Sequence, residues 1–479
     1  MAFTSPIFLI FVLLVVLLMS ATRSTRLRSW LLFLANAVFL GSHVSHPLQL
    51  LPFLAFVGAG YLAIEVLRRS PSTPLLWTGL AVIVTSFVWL KKYAFVPSPL
   101  ELPVVYTVVG LSYVLFRVVH LMIDAKQGEL TERISPLSFL SYTTSFLTLT
   151  AGPIQRYDDF HRQQIEPEPL SEAGVLRAFA RIIKGFIKLA VISAIFNYLF
   201  ATVSARVLDP HTVLSWSGLL SAYLASVVFY TVFLYANFAG YMDIVIGVGW
   251  LLGQRLPENF DHPFRARSFL DFWARWHITL SQWFRTYVFN PLLQALATRV
   301  SSPKLAPYLA VVAFFVTFLL MGVWHGASSV FVVYGLFMGA GASVNKLWQL
   351  LAVKRFGKAR YKAFGERPTV VYLSRGLTFS YFAFGLSCLW LNLGELVGIA
   401  TRLGVSGVLL GYLGVTLGAA MLFFTGDLLG RALERVKRGV SFGEPGLVGQ
   451  NLALGLQVLL IMTVSSFFHK APEFVYRAF

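Results

Sequence analysis

Apolar runs of about twenty residues, separated by short polar and basic segments, recur from one end of the chain to the other. At 1.5 Å of rise per helical residue, such a run crosses a hydrocarbon core of roughly 30 Å, where backbone amides must be bonded within their own helix. The pattern predicts about twelve membrane-spanning helices, near residues 4–20, 30–46, 49–67, 74–95, 103–123, 179–204, 214–236, 306–324, 327–345, 376–394, 403–426 and 449–468. The expected fold is an all-α polytopic bundle forming one membrane-embedded domain over residues 1–479. The first run is expected to be a retained span and not a cleaved leader, because Arg23, Arg26 and Arg28 follow it and no basic segment precedes it. No internal repeat is evident, so neither a solenoid nor a simple two-halves transporter gains support.

Three stretches depart from the pattern. Residues 139–152 are short, apolar and rich in Ser and Thr, and end in Gly152-Pro153, which suits a re-entrant or half-crossing segment walled by protein. Residues 235–252 carry Asp243 among glycines in an otherwise apolar region. Residues 265–292 mix aromatic side chains with Arg267, Asp271, Arg275 and Arg285, a composition that favours the membrane interface.

Charge then supplies an orientation. A net charge of +18 in a soluble chain would suggest nucleic acid, but 57% hydrophobic and only 13% charged residues, with a mean hydropathy of +0.71, belong to a membrane protein. No nucleic-acid partner is expected. Placing both termini outside the cytoplasm puts nearly every basic cluster inside, from Arg68 and Arg69 through Lys354–Lys362 to Arg431–Arg438. Lys91 and Lys92 are the exception. The single cysteine, Cys388, permits no intramolecular disulfide and no thiolate metal cluster, and the redox compartment stays open. No metal is expected.

The strongest chemical signal is Gly322-Val323-Trp324-His325-Gly326, because His325 ends a run from Leu305 that holds no charged residue. An imidazole at that depth is either a packing group bonded across helices or a group that takes and returns a proton. Gly322 and Gly326 are expected to leave room for a substrate beside it. In Phe272-Trp273-Ala274-Arg275-Trp276-His277, a helical reading sets Trp273, Trp276 and His277 on one face and turns Arg275 toward lipid headgroups or an anionic donor. The alternative is a plain aromatic interfacial helix. Asn237, Tyr241 and Asp243 need partners at membrane depth. Asp243 could hold a histidine, pair with an arginine or serve packing alone. Phosphate-loop, His-Glu-x-x-His and Gly-x-Ser-x-Gly motifs are absent, so ATP hydrolysis and zinc-peptidase chemistry lack support.

These motifs, in their order, resemble the membrane-bound O-acyltransferases of the bacterial branch that holds alginate O-acetyltransferase and teichoic acid D-alanyl transfer proteins. The resemblance runs nearly end to end, through Phe3–Phe8, Ala151–Tyr157 with Phe160, Phe238–Asp243, Leu256–Phe260, Asp271–His277, Trp283 to Pro291 and Gly322–Gly326. It implies a helical bundle around a tunnel, His325 as the catalytic histidine and His277 as the second. Asn237, Tyr241, Asp243, Trp276, Trp324 and Arg275 are expected to support or line the site. It further implies an acyl thioester co-substrate, coenzyme A or carrier protein, with no tightly bound cofactor. The expected reaction transfers an acyl group, acetyl first, to a hydroxyl of an extracytoplasmic glycan such as alginate, at the bacterial inner membrane and beside extracytoplasmic partner proteins. D-alanyl transfer to teichoic acid, a proton-coupled transporter and a non-catalytic secretion subunit are the alternatives. Leu292-Leu293 where the family commonly has Leu-Gly-Gly leaves the subfamily and acceptor open.

Overall fold

The structure, a computed structural model, describes residues 5–22, 24–102, 104–107, 109–130, 132–209, 211–300, 302–439 and 447–468; of 437–439, 447–452 and 467–468 it describes the backbone alone. The protein is all-helical and multi-spanning. Among the described residues, seven helical stretches are long and apolar enough to cross a membrane: Pro47–Arg69, Thr73–Leu90, Glu172–Leu208, Trp216–Leu251, Ala306–His325, Val330–Phe356 and Leu393–Val436. Pro6–Ala21 and Ala453–Ser466 are shorter apolar helices.

The chain divides into two compact units. The first takes the described residues up to Phe186 together with Phe238–Glu258, and the second takes Ile187–Asn237 and the described residues from Asn259 onward. In the first unit, helices α1 (Pro6–Ala21), α2 (Thr25–Gly41), α3 (Leu51–Arg69) and α4 (Thr73–Leu90) precede α5 (Leu111–Gln127). Gly110 and Gly128, both at positive φ, bracket α5, a backbone that glycine adopts without steric cost. Fourteen of its residues are buried, among them Arg117, His120 and Asp124. The span expected at 103–123 is therefore a helix clad by protein. Lys92, the exception to the charge pattern, is bonded to Glu101 at 2.8 Å, which compensates its charge locally.

The stretch 139–152, expected to be a re-entrant or half-crossing segment walled by protein, is enclosed by protein. An eight-residue helix α6 (Pro136–Thr143) gives way to buried irregular backbone. Arg117 makes this possible: its guanidinium donates to the carbonyls of Tyr142 (2.8 Å), Thr143 (2.6 Å) and Thr148 (2.9 Å) and to Thr148 Oγ1. Carbonyls that no helix satisfies would each cost several kcal/mol in an apolar interior, and one planar cation binds three of them. After α7 (Tyr157–Ile165), α8 (Glu172–Phe186) packs on the end of α10 (Trp216–Leu251). A Cβ at Gly185 would meet the Gly240 carbonyl and Ile244, and one at Gly247 would meet Ile182, so small residues set this approach. The stretch 235–252, set apart above for its Asp243 and glycines, continues that 36-residue helix without a break as far as Leu251.

In the second unit, α9 (Ser193–Leu208) and the first part of α10 are followed by the short helices α11 (Phe269–Trp273), α12 (Ile278–Phe284) and α13 (Asn290–Arg299). The hairpin of α14 (Ala306–His325) and α15 (Val330–Phe356) comes next, then α16 (Lys358–Gly365), α17 (Pro368–Gly385), α18 (Leu393–Gly439) and α19 (Leu447–Phe468). Gly404, at φ 65°, breaks α18. In the stretch 265–292, expected at the membrane interface, Phe269, Phe272, Trp273, Trp276 and Phe284 are buried in protein, and Phe272 and Trp276 pack on Phe382 of α17.

Candidate active site

His325 is the last residue of α14 and is 2% exposed. Its Nδ1 lies 2.6 Å from the carbonyl oxygen of Met321, one turn back. A carbonyl only accepts, so Nδ1 carries the proton and donates, and in the neutral ring Nε2 is the atom that can take a proton. The rings of Trp324 (4.9 Å between centroids) and Tyr334 (5.4 Å) meet the imidazole edge to face.

The expectation that Gly322 and Gly326 leave space for a substrate is overturned. A Cβ at Gly322 would strike the backbone of Gly335 on α15, and one at Gly326 would enter the ring of Phe331. These glycines allow α14 and α15 to close around His325; their missing side chains are replaced by protein.

His277 is 1% exposed and stands just before α12 in the left-handed region, at φ 45° and ψ 53°. The single helical face expected for Trp273, Trp276 and His277 does not form, because α11 stops at Trp273. The reason is a competing segment. Phe260 and Trp276 form an isolated antiparallel bridge, Asp261 N donates to Arg275 O, and Ile278 N donates to Asn259 O at 3.0 Å. Asn259 Oδ1 accepts from Thr279 N at 3.0 Å and Thr279 Oγ1 at 2.8 Å. A left-handed non-glycine residue costs of order 1–3 kcal/mol, a strain that a fully bonded segment can hold. Burial, with the charge of His325 adding to it, holds the His277 imidazole well below its ordinary pKa, so this ring too is neutral. Asn259 is the supporting residue that the reading of the sequence missed, although it lies in the Leu256–Phe260 motif.

The remaining expected residues divide. Trp276 is buried, stacked on Phe272 with centroids 5.6 Å apart, and Trp324 flanks His325. Arg275 meets its own chain: Nε donates to Asp271 at 2.9 Å and a terminal nitrogen to Asp261 at 3.1 Å. A hydrogen bond from His262 holds the Asp261 carboxyl below its usual range, with Arg275 and Arg265 adding, which keeps it ionised for that pair. Asn237 Nδ2 donates to Ser193 Oγ at 3.3 Å in the second unit. Tyr241 and Asp243 belong to the first unit, where Tyr241 Oη meets Thr150 Oγ1 at 3.0 Å. Of the three roles open to Asp243, the structure shows the arginine pair. Arg181 Nε donates to it at 3.2 Å while the same guanidinium forks onto Glu258.

Comparison with known proteins identifies the family. Residues 75–384 match the profile of MBOAT, the membrane-bound O-acyltransferase family. The chain is 30% identical over 278 residues to teichoic acid D-alanyltransferase of Bacillus subtilis, covering 58% of this chain and 67% of that protein. It is 29% identical over 363 residues to the probable alginate O-acetylase AlgI of Pseudomonas fluorescens, covering 72% and 66%. Against teichoic acid D-alanyltransferase of Streptococcus thermophilus it is 34% identical over 262 residues, covering 54% and 61%. The matches thus span about two thirds of the length of these relatives. The family profile takes in both histidines and covers more than half of the chain, and the chain belongs to the membrane-bound O-acyltransferase family.

Proposed function

We propose that the chain transfers an acyl group, acetyl first, from a thioester on the cytoplasmic side to a hydroxyl of an extracytoplasmic polysaccharide such as alginate. The observation that carries this reading is the Nδ1 bond of His325 to Met321, which presents Nε2 as a proton acceptor at the buried end of α14. The acceptor hydroxyl gives its proton to Nε2 as its oxygen attacks the thioester carbonyl. The carbon–sulfur bond then breaks, and the proton passes to the departing thiolate. Neutral His277 orients the acceptor or donates a hydrogen bond to the oxyanion, a contribution that grows where water is excluded. Trp276, Trp324 and Arg275 support these two rings. Asn237, Tyr241 and Asp243 act as structural support for the catalytic domain, taken as residues 1–479.

D-alanyl transfer to teichoic acid is the second reading, favoured by the similarity to D-alanyltransferases. The donor in either case is a coenzyme A or carrier-protein thioester, and extracytoplasmic proteins are the proposed partners. About twelve crossings around a tunnel, both termini outside and residence in the bacterial inner membrane complete the proposal. The test is acyl incorporation into purified glycan by wild type and His325→Ala, set against the extracted, monodisperse protein. A variant that keeps more than about a tenth of transfer defeats the general-base role.

A further inference from the structure

One recess in the first unit lies apart from the histidines' own elements. It has a volume of about 60 Å³ and is lined by Glu168, Leu170, Ser171, Arg177, Trp250 and Arg255, among others. Its position follows from its walls: Arg177 belongs to the beginning of the apolar stretch Glu172–Leu208, and Trp250 to the end of Trp216–Leu251. Where two spanning helices end together, the hydrocarbon gives way to headgroups, and a tryptophan at that level is the usual interfacial anchor. The Trp250 ring is itself contacted by two cations, Arg181 at 4.9 Å and Arg255 at 5.1 Å.

The charges of the lining do not cancel. Arg255 donates from Nε and from a terminal nitrogen, at 2.8 Å, to Glu168. Arg181 is committed to Asp243 and Glu258. Arg177 uses Nε on the Ala173 carbonyl and has no carboxylate within ion-pair distance among the described residues. Two lining arginines against one lining glutamate leave a single positive charge. A recess of about 60 Å³ has room for an oxyanion group. Leu170 in the wall, and Leu176 and Phe179 on the adjoining flank of α8, are 40%, 46% and 47% exposed.

We propose that this recess binds the phosphodiester of an anionic membrane phospholipid. Arg177 faces the phosphate, Arg255 closes on it beside Trp250, and an acyl tail runs along the exposed apolar flank of α8. Glu168 competes with the phosphate for Arg255 and so tunes the affinity downward. The site is independent of the acyl-transfer reading, since none of its residues belongs to the histidine turn or hairpin.

The experiment is native mass spectrometry of the full chain in detergent, titrated with phosphatidylglycerol or phosphatidylcholine, with inorganic phosphate as a third arm. The wild type should retain phosphatidylglycerol in preference to phosphatidylcholine, and millimolar phosphate should not displace it. Arg177→Gln should weaken the anionic lipid about fivefold, the effect of one basic residue at a membrane surface. Glu168→Gln should strengthen it, a change of sign that mere loosening of the fold would not produce. Equal retention by wild type and R177Q, weaker retention by E168Q, or displacement by free phosphate would each overturn the proposal.

Discussion

His325 is placed by the helix it ends, whereas His277 is placed by a separate stretch of chain that pairs alongside it. The first ring takes its tautomer from Met321, one turn back on the same helix. The second sits in a left-handed turn fixed through Asn259 and the Phe260–Trp276 bridge. A group fixed by its own helix survives local change because short-range hydrogen bonds reform with the helix. A group fixed by segment pairing is lost when either segment shifts. Substitutions at the two places should therefore fail differently, one in chemistry and the other in position.

The largest effect is expected at the rings themselves. His325→Gln keeps polarity and one hydrogen bond but removes the base, and should cut transfer by about 10²–10⁴-fold with protein level unchanged. His277→Ala should lower both transfer and thermal stability, because alanine has no special tolerance of positive φ. His277→Asn should recover stability without recovering transfer, since asparagine enters the left-handed region more readily. Equal stability of the two His277 variants would show that the turn carries no strain.

Next in size is a contrast between two glycines near His325. Gly322→Ala pushes a methyl group into the Gly335 backbone, which belongs to a helix and cannot step aside, while Gly326→Ala meets the Phe331 ring, which can rotate. Overpacking of this kind costs about 1–3 kcal/mol, so G322A should fall at the upper end and G326A at the lower. Melting temperature in detergent ranks them. The reverse order would place the rigid wall of the site on the Phe331 side.

Much of the His325 region was legible in the sequence, because a charge-free run, a terminal histidine and flanking glycines are local features of one helix. The use of those glycines was not legible: whether a missing side chain faces substrate or another backbone depends on Gly335, in the next helix. The His277 region was misread as one helical face because local spacing favours it, and the segment that overrides it, Asn259 to Asp261, pairs from outside the motif. The same holds for α5. Its apolar run was read as one more span, and what the run could not show is that its charged side chains serve buried partners, Arg117 above all, whose three carbonyls belong to the stretch Tyr142–Thr148. The Asp243–Arg181 pair was one of three open roles, and only three-dimensional proximity could select it.

Asn259→Ala probes the pairing directly and should cost less than loss of either ring. It leaves Thr279 N and Oγ1 without their shared acceptor in a buried position, a loss of about 1–3 kcal/mol. Transfer should fall together with stability, and the pH profile should keep its shape because His325 is untouched. A changed profile with normal stability would mean that Asn259 acts on the chemistry and not on the turn.

The smallest expected effect is at Arg275, and it separates a holding role from a binding role. Its guanidinium lies between Asp271 and Asp261, with the three side chains 32%, 35% and 61% exposed. Ion pairs so open to solvent contribute no more than about 1 kcal/mol each and weaken as salt rises. Arg275→Gln should therefore lower transfer by less than about fivefold, the equivalent of 1 kcal/mol, and the gap to the wild type should narrow as salt rises. Arg275→Glu should do more harm, because it sets three carboxylates together and pushes the 259–261 segment from the turn that holds His277. In both variants the Michaelis constants for donor and acceptor should move together, since the guanidinium acts through the position of His277. A rise confined to the donor constant in R275Q would show instead that Arg275 leaves its carboxylates to grip the donor, and the two histidines would then differ in partner as well as in support.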